Sequence, residues 1–309
     1  MTLRVVFFGT PEFAVPALSH LLEARTAVPL VVTQPDRPVG RHAVPVPSAV
    51  SRLAAVRGIP TEKPQKLRGN TDLADRIRGL APDVGVVVAY GRLLPSDLLA
   101  IPRHGFVNVH GSLLPRYRGA SPVQAALLAG DRETGVVTMK VVEELDAGPL
   151  YLEQRVEIGE REDAGALSQR LARAGADLLV ETLAGLEQGG LTLRPQQGEP
   201  SFCRPMRRED GRIDWTRPAA EIDRRLRAYT PWPGAYTFLG EERVKIHGFE
   251  LGPETGREPG TLWLEEDRAL VAAGQGQSVI LTGAQRAGRR LVGGTEFARG
   301  IRTLPTKFS

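Results

Sequence analysis

The chain predicts an α/β fold, an open, mostly parallel Rossmann-like sheet followed by a small OB-like β-barrel. Three observations carry that prediction. Across residues 1–188, apolar runs of strand length alternate with segments of helical periodicity, the pattern of a sheet built from crossover units. Residues 84–89, Val-Gly-Val-Val-Val-Ala, are apolar without alternation, as a central parallel strand covered on both faces requires. Beyond residue 205 the elements become short strand candidates separated by glycine-rich turns, the spacing of a small barrel. A chain of 309 residues exceeds what one core fills comfortably, so a first domain over 1–188, a linker over 189–205 and a barrel domain over 206–309 are expected.

In order, residues 3–8 read as a buried strand and 12–24 as a helix with Phe13, Ala17 and Leu21 at helical spacing. The turn between them, Gly9-Thr10-Pro11, lacks the glycine pattern of a dinucleotide site. Residues 28–33 form a second strand and open into a long loop, 34–47, that carries Pro35, Pro38, Pro45 and Pro47 with Arg37 and Arg41. A loop of that length in a compact domain is usually functional or disordered. Helices follow over 48–57 and 71–80, then the apolar strand, a strand over 106–110, a helix over 122–129, and strands over 136–142 and 150–156. A long helix over 163–188 buries Leu167, Leu171, Leu178 and Leu186, and closes the first domain. Residues 189–205 are rich in Gly, Pro and Gln and read as the linker. After a short helix over 218–228 come strand candidates at 236–238, 244–249, 261–264, 269–273, 278–282 and 290–292.

Composition removes several classes. There is no membrane-length apolar stretch, and the apolar run at 3–8 is too short for a targeting signal. The single cysteine, Cys203, excludes an internal disulfide and a cysteine-based metal cluster, which fits a reducing cytoplasm. His20, His42, His104 and His247 show no ligand spacing with Asp or Glu, so no metal is expected. The basic excess is uneven: residues 204–309 hold 18 Lys+Arg against 14 Asp+Glu, while the first 203 are balanced at 22 each. Arg224, Arg225 and Arg227 on one helix, and Arg286, Arg289 and Arg290 near a turn, point to a polyanionic partner or to solvated faces.

The chemistry-bearing stretch is 106–122, Phe-Val-Asn-Val-His-Gly-Ser-Leu-Leu-Pro-Arg-Tyr-Arg-Gly-Ala-Ser-Pro, together with Glu-Leu-Asp-Ala-Gly-Pro at 144–149. Asn108 and His110 alternate with Val107 and Val109, so on a strand the amide and the imidazole share one face while the valines enter the core. The strand breaks at Gly111 into a loop at its carboxyl end, where open α/β sheets place ligands. An amide donor and an imidazole suit an oxygen that becomes negative in a transition state, and Asp146 beside His110 would hold the ring charged. Singly, each residue has a commonplace reading, as a turn former, a core histidine and a plain turn.

On Phe8-Gly9-Thr10-Pro11-Glu12-Phe13-Ala14, Thr33-Gln34-Pro35-Asp36-Arg37-Pro38 with Gly40-Arg41, the Asn108 to Gly119 run and Leu145-Asp146-Ala147-Gly148-Pro149, the chain resembles the 10-formyltetrahydrofolate-dependent formyltransferases. Glu209-Asp210-Gly211-Arg212-Ile213-Asp214-Trp215 and Pro231-Trp232-Pro233-Gly234-Ala235 match the family's tRNA-formylating branch. The resemblance implies the formyltransferase fold, 10-formyltetrahydrofolate as formyl donor, no metal, and initiator methionyl-tRNA as acceptor for translation initiation. It implies no membrane and no stable protein partner. Asn108, His110 and Asp146 would be catalytic, with Ser112, Leu113, Leu114 and Pro115 along the folate cleft and Val88, Tyr90, Gly91 and Leu93 as its other wall. The 34–47 loop would enter the acceptor stem, with Arg37 and Arg41 contacting it and Arg204, Arg207 and Arg208 extending the basic surface. Ala43 and Val44 stand where the family commonly has lysines. A formyltransferase acting on an amino-sugar nucleotide or small amine, and a 10-formyltetrahydrofolate hydrolase, share the Asn-His-Asp set. A non-catalytic RNA-binding protein that keeps the fold is the rival outside the enzymes.

Overall fold

The computed structural model describes residues 2–39 and 44–309. In chain order the first elements are β1 (Arg4–Gly9), a 3-10 turn Glu12–Ala14 leading into α1 (Val15–Glu23), β2 (Ala27–Val32), β3 (Arg37–Val39), β4 (Val44–Val46), α2 (Ala49–Val56) and β5 (Thr61–Glu62). There follow α3 (Thr71–Gly79), β6 (Val84–Val88), α4 (Ser96–Leu99), β7 (Phe106–His110), β8 (Arg118–Gly119), α5 (Pro122–Ala129), β9 (Glu133–Lys140), β10 (Leu150–Glu157), α6 (Ala164–Gln188) and β11 (Phe202–Cys203). Local chemistry sets several boundaries. The Ser48 hydroxyl caps α2 through Ser51 N–H, and the Asn70 side chain caps α3 through Leu73 N–H, each satisfying an otherwise orphaned donor.

The main sheet has seven strands in the order β10-β9-β7-β6-β1-β2-β5. β5, β2, β1, β6 and β7 run parallel, and β9 is antiparallel to both β7 and β10. The predicted mostly parallel sheet is therefore the one observed. Val5 to Phe8 are fully buried, and the Phe8 ring meets Tyr90 and Phe106 edge-on, with centroids at 5.3 and 5.5 Å. Because β1 feeds β2 on one side and β6 lies on the other, the strand order reverses between β1 and β6. The loops leaving the carboxyl ends there lie at the point where open sheets of this kind place ligands.

Two stretches differ from the sequence reading. The 34–47 loop contains the hairpin β3–β4, with Pro38 opposite Pro45. Alternate positions of an antiparallel pair exchange no backbone bonds, so prolines facing each other there remove no ladder bond. The 189–205 stretch is not a free linker along its length. Arg194 exchanges backbone bonds with Leu150, and β11 pairs in parallel with β8. Its Gly, Pro and Gln content says nothing of these partners, which lie far away in sequence.

The chain folds as two compact units: one takes residues up to Pro122, Glu133–Ile158 and Leu167–Arg204, the other Val123–Arg132, Gly159–Ala166 and Pro205–Ser309. The second unit contains α7 (Ala219–Tyr229), β12 (Ala235–Leu239), β13 (Glu242–Leu251), β14 (Thr261–Glu265), β15 (Arg268–Ala272), β16 (Ser278–Arg286), β17 (Val292–Gly293), α8 (Gly294–Arg299) and β18 (Thr306–Lys307). Its antiparallel strands run β12-β13-β16-β15-β14-β18, and Leu239 and Phe238 bond onward to Phe308 and Ser309, which nearly closes a barrel. Trp215, Phe249, Phe297 and Phe308 fill it together with aliphatic side chains. The helix α8 and the strand β18 were not read from the sequence, where short turn-rich runs carry little periodicity. Among the described residues no helix is long and apolar enough to cross a membrane, and no group of three or more His, Cys, Asp or Glu could hold a metal ion.

Candidate active site

At the carboxyl edge of the sheet, three loops are tied together. The Thr10 hydroxyl donates to the Tyr90 carbonyl at 3.3 Å and accepts from Gln34 N–H at 3.3 Å, while the Gln34 amide donates to the same carbonyl at 2.7 Å. Arg37 closes the chain of contacts by donating to the Gln34 side-chain oxygen at 2.9 Å. The hairpin expected to meet an acceptor stem is thus hydrogen-bonded to the expected folate wall. Along that wall Val88 and Tyr90 are buried, Gly91 has φ +82°, and Leu93 is 65% exposed. The Tyr90 ring enters the core, where its hydroxyl has no hydrogen-bond partner among the described residues, and burial pushes the phenol pKa up, against a smaller opposing pull from Arg92.

The strand β7 places Asn108 and His110 as the alternation predicts. Val107 and Val109 are buried, and Asn108 is half-buried. Among the described residues no group hydrogen-bonds the Asn108 side chain, so its amide donors remain available. His110 is buried, with Nε2 3.0 Å from the Tyr117 carbonyl and Nδ1 3.7 Å from Asp146 Oδ2. A carbonyl only accepts, so Nε2 carries the proton, and Nδ1 is the nitrogen left to face the carboxylate. Asp146 Oδ2 also accepts from Gly119 N–H at 2.8 Å. Both Tyr117 and Asp146 have positive φ, +59° and +49°, so two non-glycine residues in the left-handed region shape the surroundings of one imidazole.

Residues that the sequence reading did not single out hold this arrangement. Arg118, largely buried, donates to Gln196 Oε1 from Nε (3.2 Å) and Nη2 (2.8 Å) and to Glu144 from Nη1 (3.2 Å). Gln196 donates to the carbonyls of Asp146 (2.7 Å) and Gly148 (2.8 Å). Ser201 accepts from Tyr117 N–H at 2.9 Å, and the Cys203 thiol lies 3.5 Å from the Tyr117 carbonyl and 3.4 Å from that of Arg118. Burial first, and Asp146 nearby, push the Cys203 thiol up against the Ser121 N–H bond, so it stays a neutral donor and not a nucleophile. Arg118 lies inside a motif legible in the sequence, whereas Gln196 and Ser201 lie in the stretch read as a linker.

The remaining expected residues divide by exposure. The fully buried Ser112 hydroxyl donates to the Arg116 carbonyl at 2.6 Å and closes its own turn. Leu114 packs with Val137, Met139 and Leu150, Pro115 is buried, and Leu113 is half-buried. What the 111–115 and 88–93 loops offer a flat ligand is therefore backbone and the faces of Leu113 and Leu93. Arg41 and Ala43 lie outside the described residues. Arg204 is exposed in the first unit, and Arg207 and Arg208 are exposed in the second.

The helix arginines differ from the basic cluster read in the sequence. Arg225 pairs with Glu221 at 3.2 Å and Arg227 with Asp223 at 2.9 Å, both one helical turn apart, while Arg217 also engages Glu221 and Asp214. Spacing of i and i+4 places acid beside base on one face and cancels the local field. Near the other cluster Arg286 pairs with Glu242 and Arg290 with Glu296.

Comparison with known proteins agrees with this architecture. The formyl transferase family matches residues 3–183, and the formyl transferase C-terminal domain matches residues 205–302. A protein named methionyl-tRNA formyltransferase from Thermus thermophilus is 47% identical over 304 residues, covering 98% of both chains. Its namesake from Geobacter sulfurreducens is 43% identical, over 98% of this chain and 95% of its own. Among solved structures, HypX from Aquifex aeolicus aligns with TM-score 0.66 at 18% identity, over 98% of this chain and 49% of HypX, so this chain spans about half of that protein. An N-formyltransferase from Helicobacter canadensis, solved with folinic acid and dTDP-3-aminofucose, aligns with TM-score 0.68 at 17% identity, over 93% of this chain and 100% of its own. These two structures share the fold. With both family descriptions matched across most of the residues and a relative 47% identical over 98% of each chain, this chain belongs to the formyl transferase family.

Proposed function

We propose that this chain transfers the formyl group of 10-formyltetrahydrofolate to the free α-amine of methionine esterified to initiator tRNA, the step that prepares the charged tRNA for translation initiation in the cytoplasm. The observation that carries the reading is the His110 imidazole, held between the Tyr117 carbonyl and the Asp146 carboxylate on the same strand face as Asn108. The high identity to proteins named for this reaction supports the acceptor. The amine nitrogen bonds to the formyl carbon, and the carbonyl electrons move to oxygen. Collapse of that tetrahedral adduct breaks the bond to N10 of the folate, which leaves with a proton that the amine has shed.

Asn108 and His110 stabilise the oxyanion, and Asp146 sets its negative charge opposite Nδ1 and helps a water accept the ammonium proton. The folate lies against the backbone of 111–115 and of 88–93. Arg37, Arg41 and Arg204 of the first unit and Arg207 and Arg208 of the second contact the tRNA. Because Arg225 and Arg227 of α7 are already paired with acids, the exposed Arg207 and Arg208 take the larger share of phosphate contacts. Replacing both with alanine is expected to weaken tRNA binding and to reduce the slope of log affinity against log salt by about 2, one for each phosphate left unneutralised. Filter binding over a salt series checks this, and an unchanged slope removes both residues from the interface.

The test of the function itself is transfer of labelled formyl from 10-formyltetrahydrofolate to purified methionyl-tRNA, beside free methionine, an amino-sugar nucleotide and water. Formylation of the charged tRNA alone is the expected result. Formyl delivered to the sugar amine or released to water keeps the strand-end site but overturns the acceptor.

A further inference from the structure

The turn that carries Asp146 is gripped from outside. Asp146 lies in the left-handed region, and the carbonyls of Asp146 and Gly148 both face Gln196, which is 50 residues from Asp146 along the chain. The Gln196 amide donates one N–H to each carbonyl, at 2.7 and 2.8 Å, while its oxygen accepts twice from Arg118. Every donor and acceptor of the primary amide is thereby used. The Arg118 guanidinium, which can only donate, dictates which way the amide faces. The same guanidinium reaches Glu144 on the near side of the turn.

We propose that Gln196 is a positioning residue for formyl transfer, holding the Asp146 carboxylate opposite His110 through the backbone of its turn. The inference rests on the role given to Asp146 above. The chain past the long helix is then part of the active site's support and not only a connection to the next unit. Gln196 touches neither substrate nor reacting atoms. Its effect is on geometry, where a displacement of about 1 Å can cost on the order of 100-fold in rate.

Two variants and two readouts test it. Gln196→Ala removes all four hydrogen bonds. Gln196→Glu keeps the contact with Arg118 as an ion pair but presents oxygen to two carbonyls. Both are expected to lower kcat by roughly 10- to 100-fold, with KM for each substrate within about threefold. In the ligand-free protein, hydrogen exchange across 144–149 and at Gly119 is expected to rise by about tenfold in both, since the turn opens locally. The inference is overturned by unchanged exchange in both variants, or by kcat within about twofold of wild type. It is also overturned if Gln196→Glu alone is active, which would leave only the Arg118 contact, or if KM and the melting temperature move together with kcat as in a general loss of packing. Wild-type protein that fails to formylate methionyl-tRNA refutes the proposed function instead. The exchange measurement, which needs no substrate, then decides the role of Gln196 alone.

Discussion

Asp146→Asn is expected to lower kcat for formyl transfer by roughly 100- to 1000-fold, the scale seen when one preorganised electrostatic group is removed from a transition state. The substitution preserves shape. An asparagine oxygen still accepts from Gly119 N–H, the bond made by Asp146 Oδ2 at 2.8 Å, so the turn and the fold persist. What disappears is the negative charge 3.7 Å from His110 Nδ1. With Nε2 bound to the Tyr117 carbonyl, the second proton of an imidazolium resides on Nδ1, and without the carboxylate that proton loses its counter-charge in a buried setting. Steady-state kinetics with methionyl-tRNA should show the loss in kcat with KM for both substrates little changed, since neither substrate is bound by this charge. A kcat within about threefold of wild type would remove Asp146 from the chemistry.

Gly148→Ala is expected to destabilise the first unit by roughly 1–3 kcal/mol and to lower activity with it. A Cβ at position 148 would sit 1.7 Å from the Lys140 carbonyl oxygen and 2.9 Å from its carbon. The obstacle is backbone at the end of β9, pinned by the bond from Lys140 N–H to the Pro149 carbonyl at 2.9 Å, and no side-chain rotation relieves it. The 144–149 turn must therefore move, and Asp146 moves with it. Gly190→Ala serves as the control, because no described residue lies within 4 Å of a Cβ there and its backbone is not left-handed. Urea unfolding and kcat of the two variants side by side check the prediction. Equal midpoints would show that the close approach at Gly148 carries no cost.

The alternation of Asn108 and His110 with buried valines, and the turn at Asp146, are legible because each depends on a local rule, side-chain period on a strand or loop chemistry before a proline. The same rule makes the arginines of α7 misleading. Read as residue type they form a basic cluster, whereas Glu221 and Asp223, one turn away, neutralise two of them. Tyr117 illustrates a different gap. Nothing in its identity announces a positive φ, yet that conformation helps present the carbonyl that fixes the tautomer of His110.

By itself the sequence determined the main strands and helices of the first unit, though not β3, β4, β5, α4, β8 or β11, and the mostly parallel sheet they build. Apolar periodicity and breaker residues act over a few positions and so survive in a linear reading. Only the tertiary structure decided that Gln196 and Arg118 clasp the Asp146 turn, that the 189–205 stretch runs along β8 and β10, and that Phe308 and Ser309 return to β12. Those contacts join side chains and backbone groups tens of residues apart, and a hydrogen bond is satisfied by whatever partner the folded chain brings within about 3 Å, which no local pattern records.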